Sequence, residues 1–147
     1  MENWNFKIKK RPKEIIERLK SELNSIGGFV FDEKKPTTFS FRKRILYPFY
    51  MVFQNWTIVN GKLLNDNVEN DTNMEISFNQ HFLIRLILFI HIIFGLGLVF
   101  GLFLTTKNYI FGGLIIALGI VLWIAANRKF KKDTEKYKTL ITEILDL

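Results

Sequence analysis

Few side chains in this sequence could do acid–base or metal chemistry. It has two histidines, His81 and His91, and no cysteine. The missing thiols exclude disulfides, thiolate metal ligands and cysteine nucleophiles, and they say nothing about compartment. A histidine triad or a zinc cluster needs imidazoles beside other ligands, and residues 1–81 cannot assemble such a set. The GxGxxG, phosphate-loop, HExxH and GxSxG patterns are all missing. Asp32-Glu33, Glu69 and Asp71 stand among turn-forming residues, where carboxylates serve the backbone better than paired acid–base work. These residues point to a non-enzymatic protein with no metal and no cofactor.

His91 has a different setting. It falls inside a long apolar run that contains no Asp or Glu. An ionisable group in such a run is a functional candidate by default. A proton or ion path, however, needs several such groups in series. The reading is therefore a neutral imidazole hydrogen-bonded to a neighbouring carbonyl. Arg85, near the start of the run, can carry its guanidinium back to the headgroups along its own aliphatic stem.

The element that must position these residues spans 82–126. Residues 82–104 and 109–126 are two apolar runs separated by the polar tetrapeptide Thr105-Thr106-Lys107-Asn108. A bilayer core of about 30 Å takes about 20 apolar residues per helix, so the pattern predicts a two-helix transmembrane hairpin. Gly97 and Gly101 form a GxxxG pair, and Gly113 and Ala117 a small-xxx-small pair. Such pairs let helices approach closely in lipid. Folding at the tetrapeptide places Gly101 opposite Gly112 or Gly113, and Gly97 opposite Ile116 or Ala117. Packing within one hairpin is the favoured use of this stripe, and a dimer or docking face is the other.

The net charge of +7 reads first as topology, since Lys and Arg near the span ends mark the cytoplasmic side. The tetrapeptide holds Lys107 alone, whereas Arg128, Lys129, Lys131, Lys132, Lys136 and Lys138 follow the second run. Residues 1–16 contain no apolar core of a signal peptide. The expectation is a bacterial inner-membrane protein with two spans and both termini in the cytoplasm.

Residues 1–81 read as a cytoplasmic β-α-β-β-β-β domain. Trp4 to Lys9 alternates apolar and polar as a half-buried strand does. Pro12 opens a helix carrying Ile15, Ile16, Leu19, Leu23 and Ile26 at helical spacing. Gly27-Gly28 closes it through the left-handed conformation that glycine takes cheaply. Phe29-Val30-Phe31 is a short strand, 32–36 a turn, and 37–45 a strand with Phe39, Phe41 and Ile45 on one face. Tyr47-Pro48 is a bend, and 49–64 a strand region strongest at Trp56-Thr57-Ile58-Val59. Residues 65–71 form a turn, and Met74, Ile76 and Phe78 mark a last strand. The simplest arrangement is a small antiparallel sheet with one helix on it, an α+β domain. Only Asn79, Gln80 and His81 separate it from the first span, which sets the domain close against the membrane.

Residues 127–147 read as an amphipathic C-terminal helix continuing the second span. Its stripe is Phe130, Tyr137, Leu140, Ile141 and Ile144, which must dock on this domain, on a second copy or on the membrane surface. Lys7, Lys9, Arg42 and Arg44 point away from the apolar faces of their strands. If those strands are neighbours, the four share one outer face and join Arg85, Arg128 and Lys129 as candidates for lipid headgroups. The aromatic residues do not interleave with these cations as stacking platforms would, which argues against nucleic acid.

Three short segments carry a resemblance: Pro12, Glu14 and Leu19; Ile58-Val59-Asn60-Gly61-Lys62-Leu63; and Thr72-Asn73-Met74-Glu75-Ile76. Their order resembles that in a loose group of small uncharacterised bacterial two-span membrane proteins with an N-terminal α+β domain. The resemblance implies the element order and no activity. The function expected is binding, as an accessory or assembly subunit of a membrane complex or a homo-oligomer. A membrane-tethered sensor of a lipid or apolar ligand, and an immunity-type protein against a membrane-active toxin, are the alternatives.

Overall fold

The computed structural model describes residues 2–44, 56–65, 71–101 and 109–147. The elements are β1 (Glu2–Ile8), α1 (Pro12–Ile26), β2 (Phe29–Lys35), β3 (Thr38–Lys43), β4 (Thr57–Asn65), β5 (Thr72–Gln80), α2 (Phe82–Phe100) and α3 (Tyr109–Leu145). The order β-α-β-β-β-β is the one expected. The Tyr47-Pro48 bend, the strand signal before Trp56, Ile45, the 66–70 part of the turn, residues 102–104 of the first apolar run and the 105–108 tetrapeptide lie outside the described residues.

All neighbouring strands are antiparallel, in the order β1-β5-β4-β3-β2. Strands β2 to β5 form a meander, and β1 joins its far edge beside β5. Alternation assigns the faces. Ile8 on β1, Thr72, Met74, Ile76 and Phe78 on β5, Val59 and Leu63 on β4, and Phe39 and Phe41 on β3 are all buried. Full burial of such side chains is worth about 1.5–3 kcal/mol each. The opposite face is polar, with Asn3, Ser77, Asn60 and Ser40 in one cross-strand row. The Phe39 ring lies over Gly61, where a β-carbon would come within 2.1 Å of it, so the glycine makes room for the largest core side chain of its row.

Helix α1 begins with Pro12 in its first turn, and Ile15, Ile16, Leu19 and Leu23 are buried. Arg11 hydrogen-bonds the Glu14 carboxylate at 2.8 Å, which holds that carboxyl below its usual range. Gly27 and Gly28 end the helix, both with positive φ (74° and 75°). Gly27 is extended in ψ, at 163°, a region open essentially to glycine alone.

Two expectations about the sheet need correction. The turn expected at 32–36 is mostly strand, since Asp32 pairs with Ser40, Glu33 with Phe39 and Lys35 with Thr38. Only Pro36 and Thr37 turn. The exposed positions of an edge strand accept charge, which hides the strand from a hydrophobicity pattern. Moreover, β1 and β3 are not neighbours. β5 and β4 separate them, so Lys7 and Lys9 do not share a patch with Arg42 and Arg44.

The chain forms two compact units, residues 1–80 with 132–147, and residues 81–131. Helix α3 contributes to both. The expected amphipathic tail is thus the last part of a 37-residue helix, and from Lys132 onward it belongs to the sheet-containing unit. The fold class is α+β: a five-stranded antiparallel sheet and three helices, two of them long and apolar.

Candidate functional site

The unit of residues 81–131 is built on two apolar helices. His81 caps α2, its Nδ1 accepting the Leu83 N–H at 3.2 Å. Arg85 is exposed in the first turns. The helix ends at Phe100 rather than Leu104, because Gly101 turns left-handed (φ 72°) and its N–H returns to the carbonyls of Gly97 and Leu98. Gly101 therefore caps the helix.

The close contact between α2 and α3 uses other glycines. A β-carbon on Gly95 would lie 2.6 Å from Ile116 Cγ1 and 3.0 Å from the Gly112 carbonyl oxygen. One on Gly112 would lie 2.6 Å from Val99 Cγ2 and 2.7 Å from the Gly95 carbonyl oxygen. One on Gly119 would come within 3.1 Å of His91 Cβ. Backbone thus meets backbone at Gly95 and Gly112, the kind of approach that small residues permit between apolar helices. Of the expected set, Gly112 lies in this contact and Gly97 is buried, whereas Gly113 and Ala117 are exposed, Gly113 with open space where a β-carbon would stand. The expected register was shifted. Opposing positions depend on where α2 stops and α3 starts, and the capping Gly101 moves the first of these. Gly95 and Gly119 were missed, although both were visible as small residues.

His91 Nδ1 donates to the Ile87 carbonyl at 2.8 Å, the neighbouring carbonyl anticipated for it. Outside the contact the helices present large apolar side chains to the exterior, Phe89 at 60% and Ile110 at 76% exposure among them. Arg128 is exposed, and Lys129 and Phe130 are half-buried.

In the sheet-containing unit the last part of α3 lies on the buried face of the sheet. Tyr137 makes edge-on ring contacts with Phe41 at 5.8 Å and Phe29 at 6.4 Å. Ile141, Ile144 and Leu145 are buried and Leu140 half-buried. Of the expected stripe, Tyr137, Leu140, Ile141 and Ile144 dock on this chain's own sheet, whereas Phe130 falls in the unit of residues 81–131. Leu145, one residue further, belongs to it as well. Polar contacts fasten both ends. Lys138 Nζ reaches Glu135 at 2.8 Å and Glu2 at 2.6 Å, and these hydrogen bonds hold its ammonium above its usual pKa. Lys10 donates to the Leu145 carbonyl at 2.8 Å, and Arg18 pairs with Asp146 at 2.6 Å. Cations there complement the carbonyl end of the helix. The Thr134 hydroxyl is fully buried and has no hydrogen-bond partner among the described residues.

Burial pushes the Tyr137 hydroxyl up to about 12, with Asp133 adding to the shift and a backbone hydrogen bond with Lys43 opposing it. The folded-state value lies above the unfolded one of about 10, so the stability tied to the neutral phenol is intact below pH 10 and is lost as pH rises toward 12. By linkage the loss is on the order of 2–3 kcal/mol. In alkaline unfolding from pH 9 to 12, Tyr137→Phe should remove that share of the pH dependence. Parallel curves for the two proteins would show that the ring does not ionise against the fold.

Beside Tyr137 runs an open groove of about 520 Å³, with Ile26, Phe29, Leu140, Lys43 and Lys136 in its lining. Among the described residues no three His, Asp or Glu side chains converge as metal ligands would. What the arrangement offers is recognition by apolar surface and charge. Comparison with protein-family models, with curated proteins and with solved structures finds no match to this chain.

Proposed function

We propose that this chain is an integral protein of a bacterial cytoplasmic membrane, with α2 and the first part of α3 as a transmembrane hairpin and both termini in the cytoplasm. Its work is binding, as an accessory or assembly subunit of a membrane complex or through self-association. One observation carries the reading. Only 17% of the most apolar stretch of α2, and 11% of that of α3, is buried. The core helices of a water-soluble protein bury such residues, whereas here the large side chains face outward around the two helices. The 19 residues of α2 rise about 28 Å at 1.5 Å each, close to the thickness of a bilayer core. The cations from Arg128 to Lys132 support a cytoplasmic end for α3.

The groove beside Tyr137 favours a second reading, a membrane-tethered sensor of a lipid or apolar ligand. Its lining combines Ile26, Phe29 and Leu140 with Lys43 and Lys136.

The test is purification from the native membrane in mild detergent, after alkaline carbonate washing, with the intact assembly weighed and every copurifying species identified. Retention through carbonate with a stoichiometric protein partner, or as a defined oligomer, is the expected result. Release by carbonate would overturn the membrane reading. A retained monomer carrying lipid would replace the subunit reading with the sensor.

A further inference from the structure

The ends of the strands divide the charged residues of the sheet-containing unit into two groups. β5 leads into α2 through His81 alone. The register pairs Thr57 with Gln80, Asn79 with Ile58, Ile58 with Arg42 and Phe29 with Lys43. The end of the sheet at Gln80 therefore also carries the end of β3, the start of β2 and, through Gly27-Gly28, the last turn of α1. Helix α3 enters the unit at this end, since Tyr137 rests on Phe29 whereas the Leu145 carbonyl is held by Lys10, beyond the Ile8–Thr72 pair at the other end. At the far end the chain forms the pairs Lys7–Asp71, Lys10–Asp146, Arg18–Asp146 and Arg11–Glu14, while Lys9, Lys34, Lys35 and Lys62 make no ion pair among the described residues. At the Gln80 end Lys138 is held by Glu2 and Glu135. Lys43, Arg44, Lys132 and Lys136 make no ion pair among the described residues. Ile26, 55% exposed, lines the groove together with Lys43 and Lys136. The acids facing them are Asp133 and Glu143.

We infer that this end of the sheet is a docking surface for the anionic leaflet of the membrane, with Ile26 entering the headgroup layer and Lys43, Arg44 and Lys136 on lipid phosphates. Two arguments select a lipid surface. The cations complement its charge and lose affinity as salt screens them. The covalent link also leaves no room for a spacer, because one residue joins β5 to the helix assigned to the bilayer. The inference rests on the proposed transmembrane hairpin. It assigns Arg44 to headgroup contact and leaves Lys7 and Lys9, at the other end of the sheet, outside that role.

The test uses the full chain, which has no cysteine, so that Ile26→Cys carries the only thiol. Labelled with an environment-sensitive fluorophore and reconstituted in bilayers of zwitterionic or mixed anionic phospholipid, it is read by quenching from nitroxide-labelled lipids. Lys34→Cys, exposed near the opposite end of β2, is the control. The expected result is a blue-shifted, strongly quenched probe at position 26 in anionic bilayers and a weakly quenched one at 34. Quenching at 26 should fall in high salt and in the triple variant with Lys43, Arg44 and Lys136 each changed to Gln. Equal quenching at 26 and 34 would overturn the inference, and so would quenching at 26 that ignores both salt and lipid charge. Carbonate extraction of the same vesicles keeps the two readings separate. A retained chain with an unquenched probe sinks the docking surface alone, and an extracted chain sinks the hairpin.

Discussion

Gly112→Ala is expected to destabilise the two-helix unit, while Gly113→Ala, one residue away, leaves it unchanged or slightly firmer. At Gly112 the added carbon would stand 2.7 Å from the Gly95 carbonyl oxygen and 2.9 Å from the Val99 nitrogen. Those atoms are backbone, so no side-chain rotation relieves the clash and the helices must separate. Overpacking of this kind costs about 1–3 kcal/mol, and separation also strips neighbouring side chains of dispersion contacts. Gly95→Ala should behave in the same way, against Ile116 and the Gly112 carbonyl. At Gly113 nothing lies within 4 Å, and alanine is the better helix former by up to about 1 kcal/mol. Thermal unfolding in mild detergent, followed by circular dichroism, compares the three variants. If Gly112→Ala and Gly113→Ala melt together with the parent protein, the contact is not where the structure places it.

The second large effect is expected at Ile141. Its side chain is fully buried in the docked part of α3, and Ile→Ala in such a site costs about 2–5 kcal/mol through lost transfer energy and the cavity left behind. Leu140→Ala, half-buried at the groove, should cost less. Ile141→Asp should undock the tail, because an unpaired carboxylate cannot enter that interface. Hydrogen exchange on the full chain reports the consequence. Tyr137 rests against Phe29 and Phe41, so amides of β2 and β3 should lose protection in Ile141→Asp while those of α2 keep theirs. Unchanged protection in β2 and β3 would mean that the sheet does not depend on the tail.

The two sites differ in how far the sequence foretold them. The docking stripe was legible because Tyr137, Ile141 and Ile144 recur at the helical period among lysines, and burying such a stripe is nearly obligatory. What remained open was the occupant, since own sheet, second copy and bilayer all present apolar surface. The glycine contact was legible as a class of interaction and wrong in register. Gly112 and Gly113 are adjacent, yet about 100° apart around a helix, so a small shift in where the partner helix ends decides which of them meets it. Gly101 ended α2 early, and an interior GxxxG and a terminal left-handed cap look alike in one sequence. The cations failed in another way. Lys7 and Arg42 alternate alike on their strands, but strand order belongs to the whole sheet and not to either strand.

Local chemistry thus determined the order of the elements of this protein, the presence of its two long apolar helices, the lack of a thiol and the amphipathic stripe of its tail. Each depends on the period of side chains along a few turns or pleats. Tertiary structure alone decided that β1 closes the edge beside β5, that the tail returns to its own sheet, that Gly95 faces Gly112, and that Lys43, Arg44 and Ile26 gather at the end where the chain leaves for α2. These depend on pairs of residues far apart in sequence. Their partners are chosen by the total surface the chain can bury at once, which no local pattern encodes.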